Sequence, residues 1–452
     1  MLTGAVAPEE ATAVELTEIY SRSLLLQTTA EAYRFTFTDS VHAVSGDMDL
    51  KSEVLIAIAD APKGKEDGGG STVAGGKLDS IHQLIATDHV VIHQTGHVLK
   101  AGHAEFMLRE QTAYFSGLPQ ITTAGAFLSG ATIDSQEGKV VVTGGGDTGG
   151  RAQMIVSQAG GLGILGADAL SSETIVLSEM ITMLEANNGS RFVFEGSVDV
   201  MSDAMQMRSD TLTLFADRSA KDEATAAAPI VADVATAGPV VVDAPTEVAP
   251  ALQVGEVKKV IAEGAVHIVQ DDRVATADQV TFYPAQERAD LVGSPRIERG
   301  DAVVVGDAMQ LTPTLSIVEG SAELRANAGE VIVTGHRMEL KPGVAVVQSA
   351  VDQRVKVILP EMPDLGYGDL QALTLKPNQA KEASEDPKAA GSETVVQSKT
   401  LRMVEEADQT LFRFTDTVSV NGTNLDAICG RLDVTAIPIE VPEAGESSMA
   451  VE

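Results

Sequence analysis

Residues 192–217 read FVFEGSVDVMSDAMQMRSDTLTLFAD, and the same pattern returns twice elsewhere in the chain. Residues 35–60 (FTFTDSVHAVSGDMDLKSEVLIAIAD) align with this stretch without a gap and agree with it at ten of the 26 positions. Residues 412–437 (FRFTDTVSVNGTNLDAICGRLDVTAI) follow the same order. A unit that repeats within one chain predicts several domains of one architecture.

Within the unit, apolar and polar residues alternate. Phe192, Phe194 and Val198 share one phase, whereas Glu195 and Asp199 occupy the other. A period of two is typical of a β-strand that has one face in a core and the other in water, and a helix would need apolar residues three and four apart. The sequence therefore predicts an all-β protein built from antiparallel strands.

Two further matches define the extent of the repeat. Residues 85–144 pair with residues 261–320 at a constant offset of 176, and ETIVLSEMITM (173–183) matches ETVVQSKTLRM (393–403). We therefore predict a first domain at 14–157, a second at 171–341 and a partial third copy at 393–437. Residues 219–254 are rich in Ala, Pro and Val without periodicity, and they predict a disordered loop inside the second domain. The tail 438–452 is expected to be disordered.

Composition limits the classes of partner. The 452 residues include 65 acidic and 32 basic side chains, a formal charge of −33. Because nucleic-acid binding depends on cationic neutralisation of phosphates, a nucleic-acid partner is not expected. The single cysteine, Cys429, excludes an internal disulfide and aligns with Ser52 and Ser209, as a small inward side chain would. No apolar run approaches the roughly 18–20 residues of a membrane span.

Five histidines fall between positions 82 and 103, which raises the question of a metal site. His89, His93 and His97 would point to one side of an extended strand, but residues four apart on a strand lie about 13 Å apart, too far to share one ion. None of the five has a histidine at its equivalent position in the second domain. We therefore expect no metal and interpret the histidines as a solvated polar face.

Signals for catalysis are weak. GGGDTGG (144–150) and GGLGILGAD (160–168) lack the Lys-Ser or Lys-Thr that follows the glycines of a phosphate loop. The two carboxylates in VSGDMD (44–49) are better explained by a hairpin turn. No Ser/His/Asp or Cys/His set repeats among the copies. We predict a protein that is not an enzyme, has no catalytic residues and needs no cofactor.

The order of these motifs resembles a known family. The frame Phe-x-Phe-x-Gly-x-Val, followed by Ala-Asp and an alternating strand, is similar to the OstA-like repeat of lipopolysaccharide-transport proteins. Residues 262–284 (AEGAVHIVQDDRVATADQVTFYP) and 289–313 (ADLVGSPRIERGDAVVVGDAMQLTP) show it again, with Gly293-x-Pro295 and Gly306-x-x-Met309. In pieces, the resemblance covers about three quarters of the chain.

The resemblance implies tandem, elongated, V-shaped antiparallel β-jellyrolls whose interior shields acyl chains. It implies a non-enzymatic lipid-binding bridge protein of outer-membrane biogenesis, located in the periplasm. Its partners would be lipopolysaccharide or another acylated lipid, and other jellyroll proteins that pair with its edge strands. The triplet Ala5–Ala7 resembles the end of an export signal.

If lipid binds, the inward phase should contact it. The groove-facing candidates are Thr17, Ile19, Phe35, Phe37, Val41, Val176, Phe192, Phe194, Val198, Val200, Val266 and Ile268. The alternative is a structural or scaffold β-repeat protein in which the same side chains fill closed cores and bind no ligand. Alternation defines which side of a strand is apolar, and it does not distinguish a groove from a packed core.

Overall fold

The computed structural model describes most of the repeated segments. The described residues are 17–29, 31–60, 81–94, 96–123, 125–146, 150–156, 173–186, 189–202, 205–217, 256–326, 331–359, 393–406, 409–422 and 426–436. The expected loop at 219–254, the glycine-rich stretch at 160–168 and the tail at 438–452 lie outside these ranges.

The chain divides into two compact units, the first ending at Ala262 and the second beginning at Glu263. The strands of the first unit are β1 (Thr17–Tyr20), β2 (Ser23–Thr28), β3 (Ala32–Ser45), β4 (Met48–Asp60), β5 (Ile81–Gln94), β6 (His97–Met107), β7 (Thr112–Ser116), β8 (Gln120–Thr123), β9 (Ala126–Ser129), β10 (Thr132–Gln136), β11 (Lys139–Thr143), β12 (Ala152–Val156), β13 (Thr174–Ser178), β14 (Met180–Ala186), β15 (Gly189–Met201) and β16 (Gln206–Asp217).

The division between the units falls inside β17 (Val257–Gln270). The remaining strands, all in the second unit, are β18 (Arg273–Tyr283), β19 (Arg288–Val292), β20 (Arg296–Arg299), β21 (Ala302–Val305), β22 (Ala308–Leu311), β23 (Ser316–Ala326), β24 (Val331–Lys341), β25 (Val344–Gln348), β26 (Val355–Leu359), β27 (Thr394–Ser398), β28 (Thr400–Glu406), β29 (Gln409–Asn421) and β30 (Asp426–Ala436).

The fold is all-β and antiparallel, which confirms the prediction from alternation. One short 3₁₀ helix, Pro284–Gln286, interrupts the strands of the second unit. None of the helical structure in the described ranges has the length and hydrophobicity that a membrane-spanning helix needs. The expected limits 14–157, 171–341 and 393–437 stay a prediction, since the compact units divide the chain by contact and not by repeat.

Long strands bend at their middle and so contribute to two sheets. In β3, Asp39 and Ser40 have φ angles of 69° and 58°, and the pairing with β4 shifts its register between Thr38 and Val41. The same register shift occurs in β5, β15, β23 and β29. Left-handed backbone of this kind turns a strand sharply, as in a β-bulge.

The bends define two layers, here named leaf A and leaf B. In the first unit, leaf A contains β2, β7, β10, β11 and β14, whereas leaf B contains β1, β8, β9, β12 and β13. Each bent strand contributes one half to leaf A and the other half to leaf B. In the second unit, leaf A contains β19, β22, β25 and β28, and leaf B contains β20, β21, β26 and β27. Alternate residues are buried in both leaves, so their apolar faces oppose each other across one interior.

The pairing register reproduces the sequence repeats. Directly beyond each bend, the equivalent residues of the three copies pair as Val41–Ser52, Val198–Ser209 and Val418–Cys429. The buried hydroxyl of Ser209 donates a 2.9 Å hydrogen bond to the carbonyl of Thr211, and Ser52 does the same to Val54 at 3.0 Å. A small residue is required here because it lies inside the bend, which accounts for the serines and for the alignment of Cys429 with them.

Candidate functional site

The interior of the first unit is lined by the inward phase of both leaves. On leaf A, Phe194 lies between Ile181 and Leu212 on the two neighbouring strands, and all three side chains are buried. The groove-facing candidates of the first unit that are fully or nearly buried are Thr17, Phe37, Val41, Val176, Phe192, Phe194, Val198 and Val200. Midway along the unit, the two leaves are therefore packed against each other.

The interior is open at the amino-terminal edge. Leu24 and Leu26 of β2 pair with Phe37 and Phe35 of β3, which places all four on the inward face. Leu24 is nevertheless 56% exposed and Leu26 is 43% exposed. Among the described residues, no further strand pairs with β2 to cover these inward apolar side chains.

Three candidates of the first unit lie beside this opening. Thr17 is buried, and its hydroxyl is 2.8 Å from the hydroxyl of Ser45. Ile19 pairs with Ala43 on the inward face, and both Ile19 and Phe35 are half-buried. Thr17 and Ile19 thus lie on leaf B and Phe35 on leaf A, each beside the amino-terminal edge. Their contact with lipid stays a prediction.

In the second unit the two groove-facing candidates are buried, whereas a row of other inward residues on leaf B is only half-buried. Val266 and Ile268 are each 1% exposed. Along leaf B, Ile297, Val304 and Leu324 pair in one row between the buried Ala275 and Val333, and yet these three are only half-buried.

A second half-buried inward row lies on leaf A of this unit. Met403 pairs with Phe412 and Ala345, and Ala345 pairs with Leu340. All four are half-buried, whereas Leu401 and Phe414, two residues along on the same face, are buried. These inward residues were not among the sequence candidates, although the repeat phase would have pointed to Ile297, the equivalent of Ile121.

The rim of leaf B in the second unit has two arginines that lie opposite each other. Arg273 lies directly opposite Arg299, in the inward phase of Ala275 and Ile297. The Nε of Arg299 donates a 3.0 Å hydrogen bond to Asp272. This bond, with the positive charge of Arg299, lowers the pKa of the Asp272 carboxyl. The exposed pair is therefore ionised at neutral pH.

The histidines do not share one extended strand. His82, His89 and His93 belong to β5, but His97 begins β6, and His89 itself sits in the bend with a φ of 56°. His89, His93 and His97 therefore do not lie along one extended strand, which is the arrangement in which all three would point to one side. Among the described residues, no group of three or more His, Cys, Asp or Glu side chains is arranged to hold a metal ion.

The two ends of the described sheets are open edges. Among the described residues, β1 and β2 pair with β3 alone and β30 pairs with β29 alone. Every residue of β2 is exposed, and no residue of β30 is buried. On the outer face of β30, Arg431 and Arg413 both hydrogen-bond to Asp433, and these bonds lower the pKa of that carboxyl to about 2.

Comparison with known proteins gives a matching family and several similar solved structures. Residues 177–314 match the family described as LptA/(LptD N-terminal domain) LPS transport protein. The chain is similar to LptH, the LptA homologous periplasmic component of the lipopolysaccharide transport device from Pseudomonas aeruginosa, with 14% identity, 31% of this chain and 95% of that chain covered, and a TM-score of 0.22. No curated protein matches the chain. The resemblance seen in the repeats is thus confirmed, and residues 177–314 are the part of the chain that matches the family of lipopolysaccharide-transport proteins.

Proposed function

We propose that this chain is a non-enzymatic lipid-binding bridge protein of outer-membrane biogenesis. The interiors between leaf A and leaf B would shield the acyl chains of lipopolysaccharide or another acylated lipid, and the open edges would pair with other jellyroll proteins. The family match over residues 177–314 supports this function and a periplasmic location. The proposal involves no catalytic residue and no cofactor.

The observation that supports it most strongly is the incomplete burial of inward apolar side chains. In the second unit, Met403 and Phe412 share a phase with the buried Leu401 and Phe414, and they remain half-buried. Covering apolar surface stabilises by about 25 cal/mol per Å². A row of half-exposed Phe, Met and Leu on the concave side of a sheet is therefore a favourable surface for an acyl chain.

The edges support the second part of the proposal. An edge strand presents N–H and C=O groups in a row, and pairing with another strand satisfies them. Because β2 and β30 each have one strand partner among the described residues, a strand from another jellyroll could extend either sheet. Such pairing would also cover Leu24 and Leu26 and make one interior continuous with the next.

One observation favours the alternative, a scaffold with closed cores. Phe192 and Phe194 are completely buried, and with them most groove-facing candidates of the first unit. A packed interior needs no ligand, since dense side-chain contacts already fill it. On this alternative the half-exposed rows would be covered by neighbouring copies alone.

Extraction of the purified chain followed by mass spectrometry separates the two functions. We expect acylated lipid to be retained by the wild type and to decrease strongly in Phe412→Ser and Met403→Gln. The matched control is Ile428→Ser on the outer face of β30, where the native side chain is 82% exposed and no lipid should lie. If neither the wild type nor any variant holds lipid after acylated lipid is supplied in vitro, the carrier function is excluded and the scaffold function is favoured.

A further inference from the structure

The second unit contains a buried amide oxygen that no described residue satisfies. Gln270, at the end of β17, is 2% exposed, and its Oε1 has no hydrogen-bond partner among the described residues. It shares the inward phase of β17 with the buried Val266 and Ile268. Burial of an acceptor without a hydrogen-bond partner is destabilising, so a ligand that donates to this atom would stabilise it.

The unsatisfied amide lies at the same rim as the two arginines. A two-residue turn, Asp271–Asp272, joins Gln270 to Arg273, and residues that flank such a turn lie opposite each other. Arg273 in turn pairs with Arg299. Side chains directly opposite on neighbouring strands have Cβ atoms about 4.5–5.5 Å apart, so the amide and both guanidinium groups belong to one row.

The next row inward is the half-buried apolar row of leaf B. Ala275 and Ile297 are two residues from Arg273 and Arg299, and Ile297 continues into Val304 and Leu324. Apolar residues that line an interior, followed at its rim by two cations and a hydrogen-bonding amide, match the order of groups in an anionic amphiphile.

This rim is not a general feature of the repeat. At the constant offset, the equivalents of Arg273 and Arg299 are His97 and Thr123, which pair in the same register. The equivalent of Gln270 is Gln94, whose Nε2 donates a 3.4 Å hydrogen bond to Asp47. The glutamine therefore recurs in both units, whereas the two arginines occur in the second unit alone, beside the unpartnered Oε1 of Gln270.

We propose that Gln270, Arg273 and Arg299 bind the headgroup of an amphiphile whose acyl chain lies along Ile297, Val304 and Leu324. The headgroup carries a phosphate or carboxylate, held by the arginines, and an adjacent O–H or N–H that donates to Oε1 of Gln270. This inference rests on the proposed lipid-binding function and adds to it a position and a headgroup chemistry.

The existing ion pair leaves room for such a ligand. A guanidinium has five N–H donors, and the bond to Asp272 uses the one on Nε. Both partners of that pair are about 60% exposed, 62% for Arg299 and 59% for Asp272, so it contributes little to stability. Asp272 also offsets part of the positive charge, which means that short hydrogen bonds and not long-range attraction select the headgroup.

Two lipids with one acyl chain test the site in the full-length protein. 1-Lauroyl lysophosphatidic acid and 1-lauroylglycerol differ only in the phosphate, and inorganic phosphate supplies the anion without the chain. By titration calorimetry we expect the wild type to prefer the phosphate-bearing lipid by about tenfold, as charge-assisted hydrogen bonds allow. In the double variant Arg273→Gln/Arg299→Gln that preference should vanish while affinity for 1-lauroylglycerol is kept.

Two more variants complete the experiment. Arg296→Gln is the matched control, since Arg296 lies on the same strand as Arg299, in the other phase, and bonds to Glu298. This variant should bind both lipids as the wild type does.

Gln270→Leu should lower the affinity for both glycerolipids about threefold, since each lipid has a hydroxyl that could donate to the lost acceptor. Its thermal midpoint should be unchanged or raised, because the substitution removes an unsatisfied buried group.

The outcomes separate this inference from the function beneath it. If neither lipid binds the wild type, the lipid-binding function fails and the headgroup site fails with it. If both lipids bind equally and the arginine variants change nothing, the acyl-chain interior stands and the headgroup site is overturned. If inorganic phosphate binds as tightly as the phosphate-bearing lipid and loses affinity in the double variant, the rim is a site for a free anion, which also overturns the proposal.

Discussion

At the residue scale, the bend in each long strand depends on left-handed backbone at equivalent positions. In the second copy the position is Gly196, with a φ of 83°, and in the first and third copies it is Asp39 and Asp416, with φ angles of 69° and 68°. Aspartate tolerates this region better than most residues with a side chain. The repeated bends thus explain why the family frame has glycine in one copy and aspartate in the others.

Gly196→Ala should destabilise the bend. A Cβ at this position would lie 2.6 Å from Cδ of Glu179, whose backbone N–H also bonds to the carbonyl of Gly196 at 3.2 Å. The strained φ and the clash together predict a loss of about 1–3 kcal/mol. Urea unfolding followed by circular dichroism should show a lower midpoint for the transition that includes β15.

Gly430→Ala is the control for this substitution. Gly430 lies on β30 and an added Cβ would meet nothing within 4 Å. Its midpoint should stay within the small range usual for exposed sites. Equal midpoints for the two variants would contradict the role assigned to the bend.

Asp433 provides a second prediction at this scale. Hydrogen bonds from Arg431, and then from Arg413, lower its pKa to about 2 from an ordinary value of 3.8. Because the folded pKa lies below the unfolded one, the stabilisation is present above about pH 4 and is lost as the pH falls through about 2. Arg431→Gln should move the carboxyl pKa back toward its ordinary value.

Carbon-detected NMR titration of aspartate carboxyls measures this shift, and Asp433→Asn identifies the resonance. Arg402→Gln serves as control, since Arg402 is an exposed arginine one strand further from β30, opposite Arg413. A carboxyl that titrates near pH 4 in the wild type would show that the three-residue ion-pair cluster does not form in solution.

The sequence predicted which side of each strand is apolar, and it did not predict how well that side is covered. Ile121 and Ile297 occupy equivalent repeat positions, and Ile121 is buried whereas Ile297 is half-buried. Identical residues at identical phases differ because burial depends on the strands that neighbour them. Contact of the groove-facing candidates with lipid therefore stays a prediction.

At the element scale, the strands follow the repeats that the sequence showed, and their pairing register recurs with the same offset. The pairing of His97 with Thr123 recurs 176 residues later as Arg273 with Arg299. The motif that precedes each long strand also recurs. In each copy it forms two short consecutive strands, namely β1 and β2, β13 and β14, and β27 and β28. Local alternation carries this information because a slip of one residue would turn the apolar side outward.

The open edges predict cross-linking between copies. Cys429 lies on the inward face of β30, opposite Val418 in leaf B, and Ile19 lies on the inward face of β1, which is the leaf B strand at the other edge. If β30 of one copy pairs with β1 of another, a cysteine at position 19 can approach Cys429 of the neighbour. Ile19→Cys should therefore form a ladder of disulfide-linked oligomers under mild oxidation, seen on non-reducing gels.

Leu118→Cys is the matched control for the cross-linking. Leu118 is 76% exposed, but it lies in the turn between β7 and β8, away from both edges. The control and the wild type should give dimers at most. A ladder of equal length for Leu118→Cys would mean that collision and not edge pairing joins the copies.

At the scale of the whole molecule, charge sets how the chain meets its ligand. Sixty-five acidic residues against 32 basic ones give a formal charge of −33. A protein of this charge is repelled by an anionic surface, and the repulsion acts over the Debye length. Under the proposed function, the apolar interior would attract acyl chains only at contact, so the long-range field would control the rate of approach and not the final affinity.

Salt should therefore accelerate the capture of lipid from anionic membranes. Between 10 and 150 mM NaCl the Debye length falls from about 30 Å to about 8 Å, which removes most of the repulsion. We expect the rate of transfer of a fluorescent acylated lipid from phosphatidylglycerol vesicles, followed by stopped flow, to rise several-fold over this range and to rise further with Mg²⁺. Transfer from neutral phosphatidylcholine vesicles should change little. A rate that falls with salt from anionic vesicles would show instead that a local cationic surface, such as the rim at Arg273 and Arg299, dominates the encounter.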